Sequence, residues 1–216
     1  MAAILIVDDH VAVRLGLEMV LREISDTHTF RHAINGSEAL SQLVASEYDI
    51  LIMDMNMPEP SGFTLLEKSL RLQPSLKVLV ISVNPEAFFA PAVFRMGAYG
   101  YINKNENDRE LKKALEAIVG GEIYIPSQMR STFFSNTDEN TNVFTLLSPR
   151  ELEITLLLLK GMGMQEISSV LSIGSSTAST FKSRVFKKLN INSVFELEQL
   201  ARHHAVVTGH AIQSER

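Results

Sequence analysis

Asp8-Asp9, Asp54, Ser82 and Asn103-Lys104 each stand where an apolar stretch runs out, and together their side chains suit one chemistry. Three carboxylates held close repel one another, so their ionised forms need a cation. Oxygen ligands favour Mg2+, which keeps several waters and takes one or two carboxylates together with phosphate oxygens. That set suits phosphoryl transfer onto a carboxylate, with Asp54 as the nucleophile that attacks phosphorus and becomes an acyl phosphate. Asp9 then holds the ion, Asp8 reaches it through water, and the main-chain carbonyl of Asn56 supplies a further ligand. The ion and Lys104 neutralise the charge spread over the phosphoryl oxygens. A phosphatase of the Asp-x-Asp kind wants a second acid two residues after the nucleophile, and position 56 is Asn. Taken singly these residues have bland readings: an aspartate ending a strand is often a turn former, a lysine after a strand is solvated, a strand serine is inert. Together, all five positions fall on strand ends.

Those strand ends come from an alternating pattern. Apolar runs at Ala3–Val7, Thr29–Ile34, Asp49–Met53, Lys77–Val83 and Tyr99–Ile102 are each followed by a segment of helical periodicity. The helical segments are Val11–Ile24, Ser37–Ala45, Phe63–Leu72, Ala87–Met96 and Asp108–Val119, the last with Asp108 expected as its N-cap. Near-continuous apolar strands imply burial on both faces, hence a parallel sheet under helices. Right-handed crossovers then make a doubly wound, five-stranded parallel α/β domain the natural solution. In such a sheet ligands sit beyond the carboxyl ends of the strands, where the five polar positions lie.

The pattern then breaks. Ser135–Asn142 contains no apolar residue and reads as a linker, with room for a short helix in 126–134 before it. Beyond it only helical periodicity remains. Ser148-Pro149-Arg150-Glu151 combines an N-cap, a proline at the first helical position and the glutamate of a capping box. Gly161 stops that helix, Met164–Leu171 forms a second, Ser175 or Ser176 can cap a third reaching Leu189, and Val194–His204 forms a fourth. Short helix, tight turn and helix make the helix-turn-helix pattern, here within an all-α four-helix domain. Along Thr177–Leu189, Ala178, Phe181, Val185 and Leu189 share an inward face. Ser176, Ser179, Thr180, Ser183 and Lys187 share the opposite one, with Lys182, Arg184 and Lys188 on the flanks. Small polar residues toward base edges and cations toward phosphates suit a DNA major groove. Its bland alternative is an amphipathic helix with a solvated basic face.

ILIVDDH (4–10), LIMDMNMP (51–58), VLVIS (78–82) and GAYGYINK (97–104) resemble the receiver domain of bacterial two-component response regulators over residues 1–122. The resemblance implies phosphorylation of Asp54 by a sensor histidine kinase, movement of Ser82 toward the phosphoryl group, and Tyr101 following into the vacated space. Asn105 departs from the Pro that many receivers carry after the lysine. LLSPRELEI (146–154), GMGMQEISSVLSIGSSTASTFKSRVFKKL (161–189) and SVFEL (193–197) resemble the LuxR-type helix-turn-helix of the NarL/FixJ class. That implies a recognition helix in which Ser179, Thr180 and Ser183 face bases while Thr177, Lys182, Arg184 and Lys187 serve the DNA backbone. Ser179 and Phe181 replace the Lys and His common in the family. Fewer cations imply weak binding by one copy, so a homodimer on promoter DNA is expected. The division expected is a receiver at 1–122, a linker at 123–145, the DNA-binding domain at 146–208 and a tail at 209–216. An atypical regulator serving as a dimer scaffold independently of phosphorylation is the alternative. A phosphotransfer relay is a third reading; the chain is not expected to be an enzyme.

Composition sets the outer bounds. The chain has 216 residues, 45% of them apolar and 21% charged, which suffices for a core and excludes a wholly disordered chain. Its longest apolar run is seven residues, Met1 to Val7, against the roughly 18 that a membrane span needs. No signal peptide is visible, so a cytoplasmic protein with no membrane partner is expected. Absent cysteine excludes disulfides, thiolate zinc sites and cysteine catalysis. The net charge of −5 hides an asymmetry: residues 1–122 hold 11 Lys+Arg against 17 Asp+Glu, whereas residues 148–216 hold 8 against 6. An acidic half joined to a mildly basic half suggests two jobs. His203-His204 lacks a third ligand at suitable spacing and is not read as a metal site.

Overall fold

The computed structural model describes residues 1–57, 60–127, 129 and 142–207, with side chains as far as His203. Most of the expected helix in 126–134, most of the linker, His204 as a side chain and the tail at 209–216 lie outside the described residues. The chain divides into two compact units, Met1–Glu86 with Val93–Ser127, and Ala87–Ala92 with Gln128–Arg216.

In the first unit, β1 (Ala3–Val7), β2 (Thr29–Ala33), β3 (Ile50–Asp54), β4 (Lys77–Ser82) and β5 (Gly100–Asn103) form one parallel sheet in the order β2-β1-β3-β4-β5. The order reverses between β1 and β3, so a crevice opens beyond their carboxyl ends. The helices α1 (Val11–Ile24), α2 (Gly36–Ala45), α3 (Gly62–Leu72), α4 (Glu86–Arg95) and α5 (Asp108–Val119) alternate with the strands, although Ala87–Ala92 of α4 groups with the second unit. Ile4, Ile6, Ile50, Ile52, Leu79, Ile81 and Ile102 meet Leu17, Leu21, Leu115 and Ile118 in a single buried cluster. Every residue of β3 is buried, as a central strand covered on both faces requires.

Hydrogen bonds beyond the regular strands fix the crevice. Asp8 donates its N–H to the Ala33 carbonyl, Met55 to Ile81, and Lys104 to Ser82, at 3.3, 3.0 and 2.8 Å. The main chain is therefore still tied to the sheet where the polar side chains begin. Gly62 opens α3 so close to the loop after Asp54 that a Cβ there would overlap the Met55 carbonyl. One expected cap is corrected: Asn107, not Asp108, caps α5, its side chain accepting from the Glu110 N–H, while Asp108 sits in the first turn.

The second unit holds a 3-10 helix (Val143–Leu146) and helices α6 (Pro149–Leu159), α7 (Met164–Val170), α8 (Ser175–Leu189) and α9 (Val194–Val207). The capping box of α6 forms as its sequence requires, with Ser148 and Glu151 satisfying each other's main-chain N–H groups. The cap expected of Ser175 or Ser176 does not form. Gly174 occupies the N-cap and α8 already begins at Ser175. Within this unit Asn142 donates its amide to the Ala87 carbonyl at 2.8 Å. Pro91, four residues on, has no N–H to offer that carbonyl.

Candidate functional site

The ends of β1, β3 and β5 bring three side chains into direct contact. Lys104 Nζ donates to Asp8 Oδ2 at 2.7 Å and to Asp54 Oδ2 at 2.8 Å. Asp8 and Asp54 are only 2% and 4% exposed. Burying two ionised carboxylates this deeply requires a cation between them, and Lys104 supplies it. Burial pushes the Lys104 ammonium down, yet its hydrogen bonds to Asp54 and Asp8 prevail and leave its pKa raised. The other oxygen of Asp54 accepts the Asn56 N–H at 2.9 Å, which orients the carboxylate.

Asp9 takes the solvent side of the rim, its Oδ1 2.7 Å from His10 Nδ1. The ligand atoms of Asp8, Asp9 and His10 lie within 4.8 Å of one another. Three carboxylates against the one ammonium of Lys104 leave a rim of excess negative charge built from hard oxygen donors. That donor set fits Mg2+.

Ser82 and Tyr101 reach the rim through Asn84. The Asn84 N–H donates to Ser82 Oγ at 3.1 Å, its side-chain amide donates to Asn56 Oδ1 at 2.6 Å, and its carbonyl accepts the Tyr101 hydroxyl at 2.7 Å. The Asn103 amide shares that carbonyl at 2.9 Å. Tyr101 is fully buried, and burial foremost raises its hydroxyl pKa far above the usual phenol range.

On α8, Ala178, Val185 and Leu189 are buried and Phe181 is half-buried, as the periodicity predicts. Thr177, Ser179, Thr180, Ser183, Arg184 and Lys187 are exposed. Lys182 differs: it is half-buried, with its ammonium 5.3 Å from the centre of the Phe186 ring. The Arg184 guanidinium lies 5.7 Å from the centre of Phe181. Both contacts preorganise a cation beside the exposed face. Thr180 and Ser183 donate their hydroxyls to the Ser176 and Ser179 carbonyls one turn back, at 2.9 and 3.0 Å. Their oxygens therefore present acceptor lone pairs outward.

Residues 4–116 match the response regulator receiver domain, and residues 145–201 match the bacterial regulatory proteins of the luxR family. The response regulator GacA of Pseudomonas syringae pv. syringae is 32% identical over 98% of this chain and 100% of its own length. This chain is a response regulator. A receiver is followed by a LuxR-type helix-turn-helix, the arrangement of the NarL/FixJ class. The oxygen regulatory protein NreC of Staphylococcus carnosus is 35% identical over 92% of this chain and 95% of its own. RcsB of Salmonella enterica serovar Typhimurium, solved bound to a promoter in the presence of the phosphomimetic BeF3-, matches with a TM-score of 0.72. It is 26% identical, over 92% of this chain and 97% of that one.

Several residues of this response regulator's rim escape a reading from strand ends. Arg14, buried on α1, donates Nη1 to the Asp8 carbonyl at 2.7 Å. Its place on an apolar helix face, between Val11 and Leu17, was the available signal. Asn84 gave none, because an asparagine after a strand is ordinarily a turn residue.

Proposed function

We propose that Asp54 accepts a phosphoryl group from a sensor histidine kinase and that the phosphorylated chain pairs with a second copy to bind promoter DNA through α8. The observation that carries this reading is Lys104 shared between Asp8 and Asp54 at the carboxyl end of β3. In the transfer an Asp54 oxygen attacks phosphorus and the phosphorus–nitrogen bond to the kinase histidine breaks. Its electron pair returns to the imidazole, and an acyl phosphate is left on Asp54. Asp9, Asp54 and the Asn56 carbonyl would hold Mg2+, with Asp8 through water, and the ion would supply positive charge to the transferred oxygens. Lys104 pairs with one of those oxygens, and Ser82 approaches another. Tyr101 then settles behind Ser82. Phosphate adds about −1.5 to −2 of charge at the crevice, which favours the receiver form competent to dimerise. The phosphoryl group ends on the chain's own carboxylate, so the chain acts as a regulator and not on an external substrate.

On the DNA, Ser179, Thr180 and Ser183 face base edges while Thr177, Lys182, Arg184 and Lys187 contact phosphates. Pairing two weak readers raises affinity through effective concentration. We assign 1–122 to the receiver, 123–145 to the connector, 146–208 to the DNA-binding domain and 209–216 to a tail, in a protein of the cytoplasm.

The test is labelling by a small-molecule phosphodonor with Mg2+, followed by a gel shift with genomic fragments. Wild type takes up hydroxylamine-sensitive label and then retards DNA, whereas Asp54→Asn takes up none and does not gain affinity. Undiminished labelling of Asp54→Asn refutes the site; labelling without any DNA retarded refutes the output.

A further inference from the structure

Lys188, in the last turn of α8, reads from the sequence as one more flanking cation. In the structure its ammonium lies against its own unit, with 40% of the side chain still exposed. Its Nζ donates to Glu151 Oε2 at 2.6 Å and to the Leu146 carbonyl at 3.1 Å. Glu151 is 3% exposed, and the same oxygen accepts the Ser148 N–H at 2.7 Å. One carboxylate thus closes the capping box of α6 and grips the far end of α8. The neighbouring Arg150 ties down the other limb. Its Nη2 donates to the Leu171 carbonyl at the end of α7, at 2.8 Å, and its Nη1 pairs with Glu153 at 2.6 Å. Both limbs of the helix-turn-helix are therefore held from the first turn of α6.

Glu151 is buried but Lys188 keeps 40% of its side chain in solvent, so screening leaves the pair little net stability. What it does fix is geometry, since Lys188 cannot swing away without leaving the buried Glu151 carboxylate short of its cation. For α8 that geometry is the rotation and depth at which the exposed hydroxyl face is offered.

We propose that the Glu151–Lys188 pair positions α8 for sequence readout, with Lys188 making no phosphate contact. The proposal rests on the reading of α8 as the DNA face. It predicts an unusual sign. Removing an acid from a DNA-binding domain should, by long-range electrostatics, tighten binding to a polyanion. Removing Glu151 should instead weaken it. A phosphate-contacting lysine, when lost, flattens the salt dependence by about one unit of slope. Loss of Lys188 should leave that slope unchanged.

The experiment uses the full chain and two duplexes, one enriched from a random pool by the wild type and one of random sequence. Glu151→Gln, which keeps an acceptor for the Ser148 N–H, and Lys188→Met should each bind the enriched duplex about tenfold more weakly. Both should keep the wild-type salt slope and their affinity for random sequence. The double variant should bind no worse than either single one, and Lys188→Arg should restore binding. Equal or tighter binding by Glu151→Gln, a shallower slope in Lys188→Met, or additive losses in the double variant each overturn the positioning role. If Lys188→Met does not fold, Glu151→Gln and Lys188→Arg decide the matter against wild type. A wild type that enriches no duplex removes the DNA reading and this proposal together; a wild type that does, with variants matching it, removes this proposal alone.

Discussion

At the strand ends of the first unit Lys104 is shared between two buried carboxylates, while along α8 of the second unit Arg184 and Lys187 stand in solvent. Among the described residues no carboxylate pairs with either of those two cations. The rim is assembled from β1, β3 and β5, elements distant in sequence, and its charges are already committed to one another. The α8 face is one continuous stretch of chain, and its charges wait for a partner. Under the proposed function an incoming phosphoryl group would compete for Lys104 with Asp8, whereas a DNA phosphate would meet Arg184 and Lys187 without displacing any described acid. Substitution should accordingly cost folding stability in one region and affinity in the other.

The sharpest way to break that contrast is Lys104→Met. It leaves Asp8 and Asp54 buried without their shared cation, and breaking such a pair costs about 3 kcal/mol. All four tyrosines, Tyr48, Tyr99, Tyr101 and Tyr124, lie in the first unit, and the chain has no tryptophan. Urea unfolding followed by tyrosine fluorescence at neutral pH thus reports that unit alone. The midpoint should fall in Lys104→Met and recover in part with millimolar Mg2+. An unchanged midpoint would show that the rim does not depend on its ammonium.

The two regions also differ in how far their sequences expose them. The α8 face was readable because a helix places its own residues by a fixed period, so Ala178, Val185 and Leu189 had to turn inward and Ser179, Thr180 and Ser183 outward. The rim was readable at Asp8, Asp54 and Lys104 because parallel strands deliver their carboxyl ends to one edge. Asn84 was not, because its role comes from a tertiary meeting with Asn56 and Tyr101 that no local spacing encodes. Lys188 was placed with the flanking cations for a related reason. Periodicity puts it at the edge of the helix, and only the packing of α6 against α8 decides that its ammonium reaches Glu151. The missed caps are smaller errors of the same kind, where Asn107 and Gly174 won by one residue.

A smaller effect is expected on the second side of the contrast. Arg184→Ala and Lys187→Ala should each weaken binding by about 1 kcal/mol across sequences and lower the salt slope by about one. Unfolding free energies of the second unit, followed in urea by the Ala178 methyl resonance, should stay within about 0.5 kcal/mol of wild type, since neither side chain supports the core. Fluorescence anisotropy over a salt series measures the slope. A loss confined to one operator sequence would move that residue from phosphate contact to base contact, and a large fall in stability would erase the distinction between the two regions.

The smallest expected effect is a difference in pH response between the two ion pairs. Lys104 has a raised pKa in the folded chain. Its contribution is therefore complete below the ordinary lysine value of 10.5 and is lost as pH rises through the raised folded value. Glu151 is the reverse case. Burial pushes its carboxyl up, but the Lys188 and Ser148 hydrogen bonds prevail and lower it. Its contribution is complete above the ordinary value of 4.5 and is lost as pH falls through the lowered folded value. The stability gap between wild type and Lys104→Met should therefore close toward alkaline pH, read from the Ile102 methyl resonances of the first unit. The gap between wild type and Glu151→Gln should close toward acid pH, read from the Ala178 methyl of the second. Comparing each variant with wild type cancels the titrating groups that touch neither pair, so each gap reports one pair. Gaps that close at the same end of the pH scale would mean that one of the pairs is not holding its helix or strand by charge.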